Sequence, residues 1–192
     1  MYTLGYGTQQ YCYHVCIVLL HTAVSPESSV KVSPLNMVYS QGSDITLICT
    51  SFGGPDNFFQ WEKNGNIIGN DSMLKVMDVD ASSGGVYTCT VSNAAGSDSA
   101  STTLYVAPYI VTPLEEQTLT TNGSNMSISC DADGFPSPTV SWVDMTDAEV
   151  VSTSLLEFSP VMFGDEGLYR CVATAEINRM NFSTTDETIL IG

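Results

Sequence analysis

Cysteine, histidine and carboxylate are the side chains here from which chemistry could be built. Their counts are lopsided: six, two and 21 in 192 residues. Both histidines, His14 and His21, sit near the N-terminus. If that segment is removed from the mature chain, no imidazole remains. His-based Ser or Cys triads, most general-base designs and nearly all zinc sites then drop out. No phosphate-binding Gly loop, no G-x-S-x-G and no dinucleotide fingerprint occurs. The adjacent acids Glu115 and Glu116 would point to opposite faces of a strand, which is poor geometry for an acid/base couple. The expectation is a protein that is not an enzyme, with no cofactor and no metal site.

The cysteines suit a different chemistry, oxidation to disulfides, and their spacing is repeated. Cys49, Trp61, Tyr87 and Cys89 recur as Cys130, Trp142, Tyr169 and Cys171. In both copies the Trp follows the first Cys by 12 positions and the Tyr sits two before the second Cys. This is an internal duplication. It predicts two pairs, Cys49–Cys89 and Cys130–Cys171, formed in an oxidising compartment. In a sandwich of two antiparallel sheets such a bridge ties the core. The Trp packs on the sulfurs, and the Tyr hydroxyl turns back to the backbone at a loop corner. These eight residues therefore read as scaffold.

The elements that must hold them read as strands. Ile45, Leu47 and Cys49 occupy alternate positions that would face one side, and Met126, Ile128 and Cys130 alternate more cleanly with serines, as Tyr87, Cys89 and Val91 do with Thr88, Thr90 and Ser92. Period-two alternation is the signature of a half-buried strand. Asn64-Gly65 after the first Trp strand predicts a two-residue hairpin, because both turn positions need φ > 0. No long 3.6-period stretch appears, so the fold class is all-β. Val106-Ala107-Pro108-Tyr109 joins the copies with almost no linker, which predicts an extended rod of limited bending.

Residues 1–25 read as a signal peptide: an apolar stretch from Tyr11 to Leu20 precedes small residues at Thr22, Ala23 and Ser25, although no Lys or Arg comes before it. If this segment is retained, Cys12 and Cys16 could close a small loop, and a metal site with His14 and His21 is a remote option. The sequence ends inside what reads as a final strand. That fits a small secreted protein or, by its abruptness, a fragment of a longer ectodomain. No apolar run reaches bilayer length, so direct membrane insertion is not expected. The net charge of −16 repels phosphate backbones, so no nucleic acid is expected as a partner. Residues 30–106 hold seven acids and three bases, and residues 107–192 hold thirteen acids and two bases. Such charge serves solubility first. A basic partner, or calcium near Asp131, Asp133, Asp144 and Asp147, is the sharper alternative, but no D-x-D-x-D-G spacing is present.

Several motifs resemble the immunoglobulin superfamily, I-set or C2 type. Copy two carries Gly134-Phe135-Pro136-Ser137-Pro138-Thr139-Val140-Ser141-Trp142 and Asp165-Glu166-Gly167-Leu168-Tyr169-Arg170-Cys171. Copy one carries Trp61-Glu62-Lys63-Asn64-Gly65, Gly85-Val86-Tyr87-Thr88-Cys89 and Asn93-Ala94-Ala95-Gly96. The resemblance covers about residues 30–192. It implies two tandem immunoglobulin-like Greek-key β-sandwiches, each with one inter-sheet disulfide, over residues 26–106 and 107–192. Copy one departs at Ser83, where the family pattern has an acid. In copy two only Arg170 and Arg179 are available to pair with Asp165. Tandem domains of this kind occur in adhesion molecules, hemicentin-like matrix proteins and receptors. The resemblance implies an extracellular protein-binding module for cell adhesion or recognition, secreted or part of a cell-surface ectodomain, with a protein partner that is homophilic or heterophilic. The alternative is a structural spacer from a larger protein.

Two surface features bear on that choice. Sequons at Asn70, Asn122, Asn125 and Asn181 predict N-glycosylation. Phe58, Ile67 and Ile68 are expected to form an apolar binding patch on the sheet that carries the first Trp. The Arg179-Met180-Asn181-Phe182 turn is a second candidate contact.

Overall fold

The computed structural model describes residues 30–52, 56–118 and 123–191. The signal-peptide reading of residues 1–25, with Cys12, His14, Cys16 and His21, lies outside the described residues, as does Asn122. The first copy contributes β1 (Lys31–Ser33), β2 (Val38–Tyr39), β3 (Ile45–Thr50), β4 (Phe58–Lys63), β5 (Asn66–Gly69), β6 (Met73–Val76) and β7 (Gly85–Asn93). β8 (Gly96–Ile110) crosses into the second. There follow β9 (Gln117–Thr118), β10 (Met126–Ser129), β11 (Ala132–Phe135), β12 (Thr139–Val143), β13 (Glu149–Val151), β14 (Leu155–Phe158), β15 (Gly167–Ile177) and β16 (Met180–Ile191). The one helical element among the described residues is a 3-10 turn at Ala81–Ser83.

Each copy is a two-sheet sandwich. In the first, β1-β3-β6 faces β8-β7-β4-β5, with β2 running parallel beside β8. In the second, β10-β14 faces β13-β12-β15-β16-β9. The alternation read from the sequence holds along β3, where Ile45, Leu47 and Cys49 are buried and Thr46, Ile48 and Thr50 are exposed. A strand with one wet and one dry face must alternate in this way. Trp61 and Trp142 are fully buried at the two core centres. Asn64 and Gly65 both take positive φ, and Lys63 pairs with Asn66 across that turn, so the predicted hairpin forms.

The join between the copies has no loop of its own. β8 runs through Val106-Ala107-Pro108-Tyr109 as one strand. Its second half pairs with β11, Ala132 opposite Ile110 and Phe135 opposite Val106, so a segment of copy two extends a sheet of copy one. Phe135 and Tyr109 pack on the first core, and the Tyr109 hydroxyl accepts the Ala81 N–H at 3.5 Å. The limited bending expected from a short linker is reinforced by this shared sheet.

Candidate functional site

The disulfides form as the spacing predicted, Cys49–Cys89 and Cys130–Cys171, with Cα separations of 6.3 and 6.4 Å. Each indole N–H finds a backbone acceptor, Trp61 the Asp71 carbonyl at 3.0 Å and Trp142 the Ser154 carbonyl at 3.2 Å. A buried indole without one would carry a desolvation cost of roughly 1–3 kcal/mol. The Tyr87 hydroxyl donates to the Ser83 carbonyl at 2.7 Å, and the Tyr169 hydroxyl to the Asp165 carbonyl at 3.1 Å. Burial pushes both phenols up from their ordinary pKa.

The two departures at these corners have local answers. In copy one the acid has moved three places upstream. Asp80 caps the 3-10 turn, its Oδ1 accepting from the Ser83 amide and the Ser82 and Ser83 hydroxyls. Those hydrogen bonds, Ser82 foremost, hold the Asp80 carboxyl below the usual carboxylate range. Lys63 closes the corner, donating to the Ser82 carbonyl at 2.6 Å and lying 5.1 Å from the Tyr87 ring centre. In copy two Asp165 Oδ2 accepts the Met162 N–H at 2.7 Å, while Arg170 turns to Glu187 at 2.7 Å and Asp147 at 2.8 Å.

Phe58, Ile67 and Ile68 are all exposed, Phe58 at 73%. The register separates them, however. Phe58 lies opposite Ser92 at one end of β4, and Ile67 opposite Glu62 near the other. Four residues of strand put about 13 Å between those positions. Across β7 and β8 the same outward face carries Thr88, Thr90 and Ser92 beside Ser101, Ser99 and Ser97. The single apolar patch expected from the sequence is therefore corrected to two spots, Phe58 and Ile67/Ile68, on a hydroxyl-rich sheet. One-dimensional proximity brought the three together, and the pairing register, which sequence reading did not fix, divides them.

Asn70, Asn125 and Asn181 are exposed. The turn expected at Arg179-Met180-Asn181-Phe182 lies slightly earlier, at Asn178 and Arg179, which both have positive φ, while Met180, Asn181 and Phe182 belong to β16. Among the described residues no cluster of three or more His, Cys, Asp or Glu is placed to hold a metal ion. Asp144 instead closes its own turn, accepting from Thr146 and Ala148, and Asp133 accepts the Gly134 N–H. No helix among the described residues is long and apolar enough to cross a membrane.

Sequence reasoning also missed the junction contact. A Cβ on Gly134 would crowd the Val106 and Ala107 carbonyls at 3.1 and 3.3 Å, and its positive φ is one side chains rarely adopt, so glycine suits the close pass of β8. A Cβ on Gly84 would overlap the Phe135 side chain. The G-F-P-S-P run was legible as a motif, but its packing partner, Gly84, lies 50 residues upstream.

Against known proteins, a family model described as "Immunoglobulin domain" matches residues 26–93 and again 107–174. Human Hemicentin-1 is 28% identical over 178 residues, covering 82% of this chain and 3% of its own length. Human Leucine-rich repeats and immunoglobulin-like domains protein 1 is 28% identical over 188 residues, 81% of this chain and 17% of its own. Mouse Neural cell adhesion molecule 1 is 27% identical over 185 residues, 81% and 17%. The chain thus spans under a fifth of these relatives. Among solved structures, the insect immune protein hemolin aligns with a TM-score of 0.54 at 23% identity, over 87% of this chain and 46% of its own. A four-domain N-terminal fragment of Dscam1 isoform 7.44 aligns at 0.56 and 24%, over 87% and 47%. At such identities the structural likeness concerns the fold alone.

Proposed function

Since this chain belongs to the immunoglobulin-domain family and carries two such domains, we propose that it is an extracellular protein-binding module for cell adhesion or cell-surface recognition. Binding is through outward sheet faces held rigid by the two disulfides. The observation that carries this reading is the exposure of Phe58, Ile67 and Ile68 on a face where β7 and β8 present the hydroxyls of Thr88, Thr90, Ser97, Ser99 and Ser101, with exposed Val86 toward one end. Isolated aromatic and branched anchors on an ordered, hydroxyl-rich surface suit protein recognition. The disulfides support an oxidising, extracellular setting. The names of the relatives, a neural cell adhesion molecule among them, support the adhesion class and leave the partner open. With its four described cysteines oxidised, the domain pair offers no thiolate nucleophile, and the reading assigns it no enzyme activity. Exposed Asn70, Asn125 and Asn181 are the proposed glycan sites.

A second reading, the structural spacer, is favoured by one observation: β8 and β11 weld the two sandwiches through a shared sheet. The test presents the secreted chain on beads to cells and to beads carrying the same chain. Capture lost on Phe58→Asp or Ile67→Asp supports recognition through this sheet. Capture that survives both changes sinks the assignment of the face. Absence of capture on any surface transfers the argument to the spacer.

A further inference from the structure

The outward faces of β1, β3 and β6 in the first domain, and of β10 and β14 in the second, are equivalent positions of one duplicated fold. In the first, Ile48 lies opposite Met73, Thr46 opposite Lys75 and Thr50 opposite Lys31. In the second, Ser129 lies opposite Leu155 and Ser127 opposite Glu157, with exposed Asp131 continuing the same row. Each face follows its cysteine, since Ile48 precedes Cys49 as Ser129 precedes Cys130. Met73 and Leu155 are therefore counterparts, and so are Lys75 and Glu157. The apolar position is kept and the charge beside it is reversed.

The reversal stands out in a chain with five bases and 21 acids. Lys63 is engaged at the tyrosine corner and Arg170 between two acids. Of the three remaining bases, Lys31 and Lys75 flank one exposed apolar pair, Ile48 at 41% and Met73 at 57%. Among the described residues no acid lies within β1, β3 or β6 at an outward position, although exposed Asp44 and Asp71 border the face just before β3 and β6, Asp44 accepting the Asp78 N–H, and no salt bridge involves either lysine. The opposite arrangement, Leu155 at 38% between Asp131 and Glu157, sits in the other domain.

We propose that these two faces are a self-complementary pair. The β1-β3-β6 face of one copy docks on the β10-β14 face of a second copy, with Met73 and Ile48 against Leu155 and the lysines against Glu157 and Asp131. The inference does not depend on the Phe58 sheet, which lies on the opposite side of the first sandwich. A contact between strips of two and three short strands is small, so it belongs to the weak class below about 1,200 Å² and gains strength where many copies share a surface.

The test is sedimentation of the full secreted chain, with Asn125→Gln in every variant so that no glycan stands beside Glu157, over about 1 μM to about 1 mM, the range of a weak contact. The chain with Asn125→Gln alone is expected to self-associate. Lys75→Glu alone and Glu157→Lys alone should each weaken that association by about tenfold or more, since each juxtaposes like charges. Both substitutions are at exposed positions, and an unchanged Tm verifies that each variant is folded. An equimolar mixture of the two variants restores association. The reversed charge of one variant then meets the reversed charge of the other, and the unaltered Lys75 and Glu157 meet each other. A monomer at every concentration overturns the proposal. So does association that neither reversal changes, or a mixture no stronger than its components. Association lost on Phe58→Asp but not on Lys75→Glu overturns it in favour of the other sheet.

Discussion

Gly84→Ala tests whether the two domains are welded as the shared sheet implies. Gly84 has φ −62° and ψ 153°, an ordinary extended backbone that alanine adopts freely. The substitution taken alone should stabilise by about 0.4–1 kcal/mol, through the unfolded chain. At this site the added methyl would overlap Cβ and Cγ of Phe135 and stand 2.8 Å from Cδ1. Phe135 is half-buried against the first core, and a fully buried Phe is worth roughly 1.5–3 kcal/mol. Displacing it forfeits about half of that and strains the β8–β11 pairing, so the expected net loss is about 1–2 kcal/mol, as for other overpacked sites. The loss belongs to the junction and spares both cores. Hydrogen exchange should rise at the amides of Ala132–Phe135 while those of Cys89 and Cys171 stay protected. Phe135→Ala should cost a similar amount, and the double variant less than the sum, because the methyl then has nothing to strike. Measured by urea denaturation, a Gly84→Ala protein as stable as wild type, with unchanged exchange at β11, would refute the seating of Phe135 on Gly84 and the rigid junction with it.

Removing either disulfide by a Cys→Ala pair, at Cys49/Cys89 or Cys130/Cys171, should lower the stability of its own domain by about 2–5 kcal/mol, seen as one displaced denaturation transition with the other nearly in place. Asp80 has its carboxyl pKa lowered in the fold, so its stabilisation is present above the unfolded value near 3.8 and fades as pH falls through the folded one. Asp80→Asn should accordingly flatten the loss of first-domain stability on acidification below about pH 4, in urea midpoints taken at stepped pH. Secretion from animal cells should add glycans at Asn70, Asn125 or Asn181, each removed by the matching Asn→Gln change and read by intact mass. Phe58→Asp should shift the stability of the free chain very little, within about 0.5 kcal/mol, because that side chain already faces water.

What the sequence made legible is what local periodicity and duplication encode. Leu47 and Ile128 could be placed inside because their neighbours alternate, and the Cys-Trp-Tyr-Cys spacing announced two cores. The Asn64-Gly65 turn announced its own conformation. The surface was harder. Whether Phe58 and Ile67 touch depends on the offset of β5 against β4, and the bulge at Trp61/Glu62 shifts that offset. The contact of Gly84 with Phe135 was invisible for the same reason. It joins residues with no local pattern in common, and only the path of β8 brings them together. The turn read at Arg179-Met180-Asn181-Phe182 was placed slightly late, because its two positive-φ residues, Asn178 and Arg179, include no Gly to mark them.

The duplication separates scaffold from surface more sharply than either domain would alone. Between the copies the buried positions repeat in kind: cysteine for cysteine, Trp61 for Trp142, Leu47 for Ile128, Leu74 for Leu156. The outward positions of the same strands do not repeat, and Lys75 gives way to Glu157 while its neighbour stays apolar. A core tolerates little change because volume and burial constrain it from every side, whereas an exposed strand residue is free to alter within a fraction of a kcal/mol. Charge at such positions therefore follows whatever the face meets. The welded junction then gives that charge geometric meaning, since it holds a cationic face and an anionic face of one molecule at a fixed separation. A flexible linker would leave the same residues as two unrelated patches, so loosening the junction with Gly84→Ala should weaken any contact that engages both faces at once, even though residue 84 lies on neither.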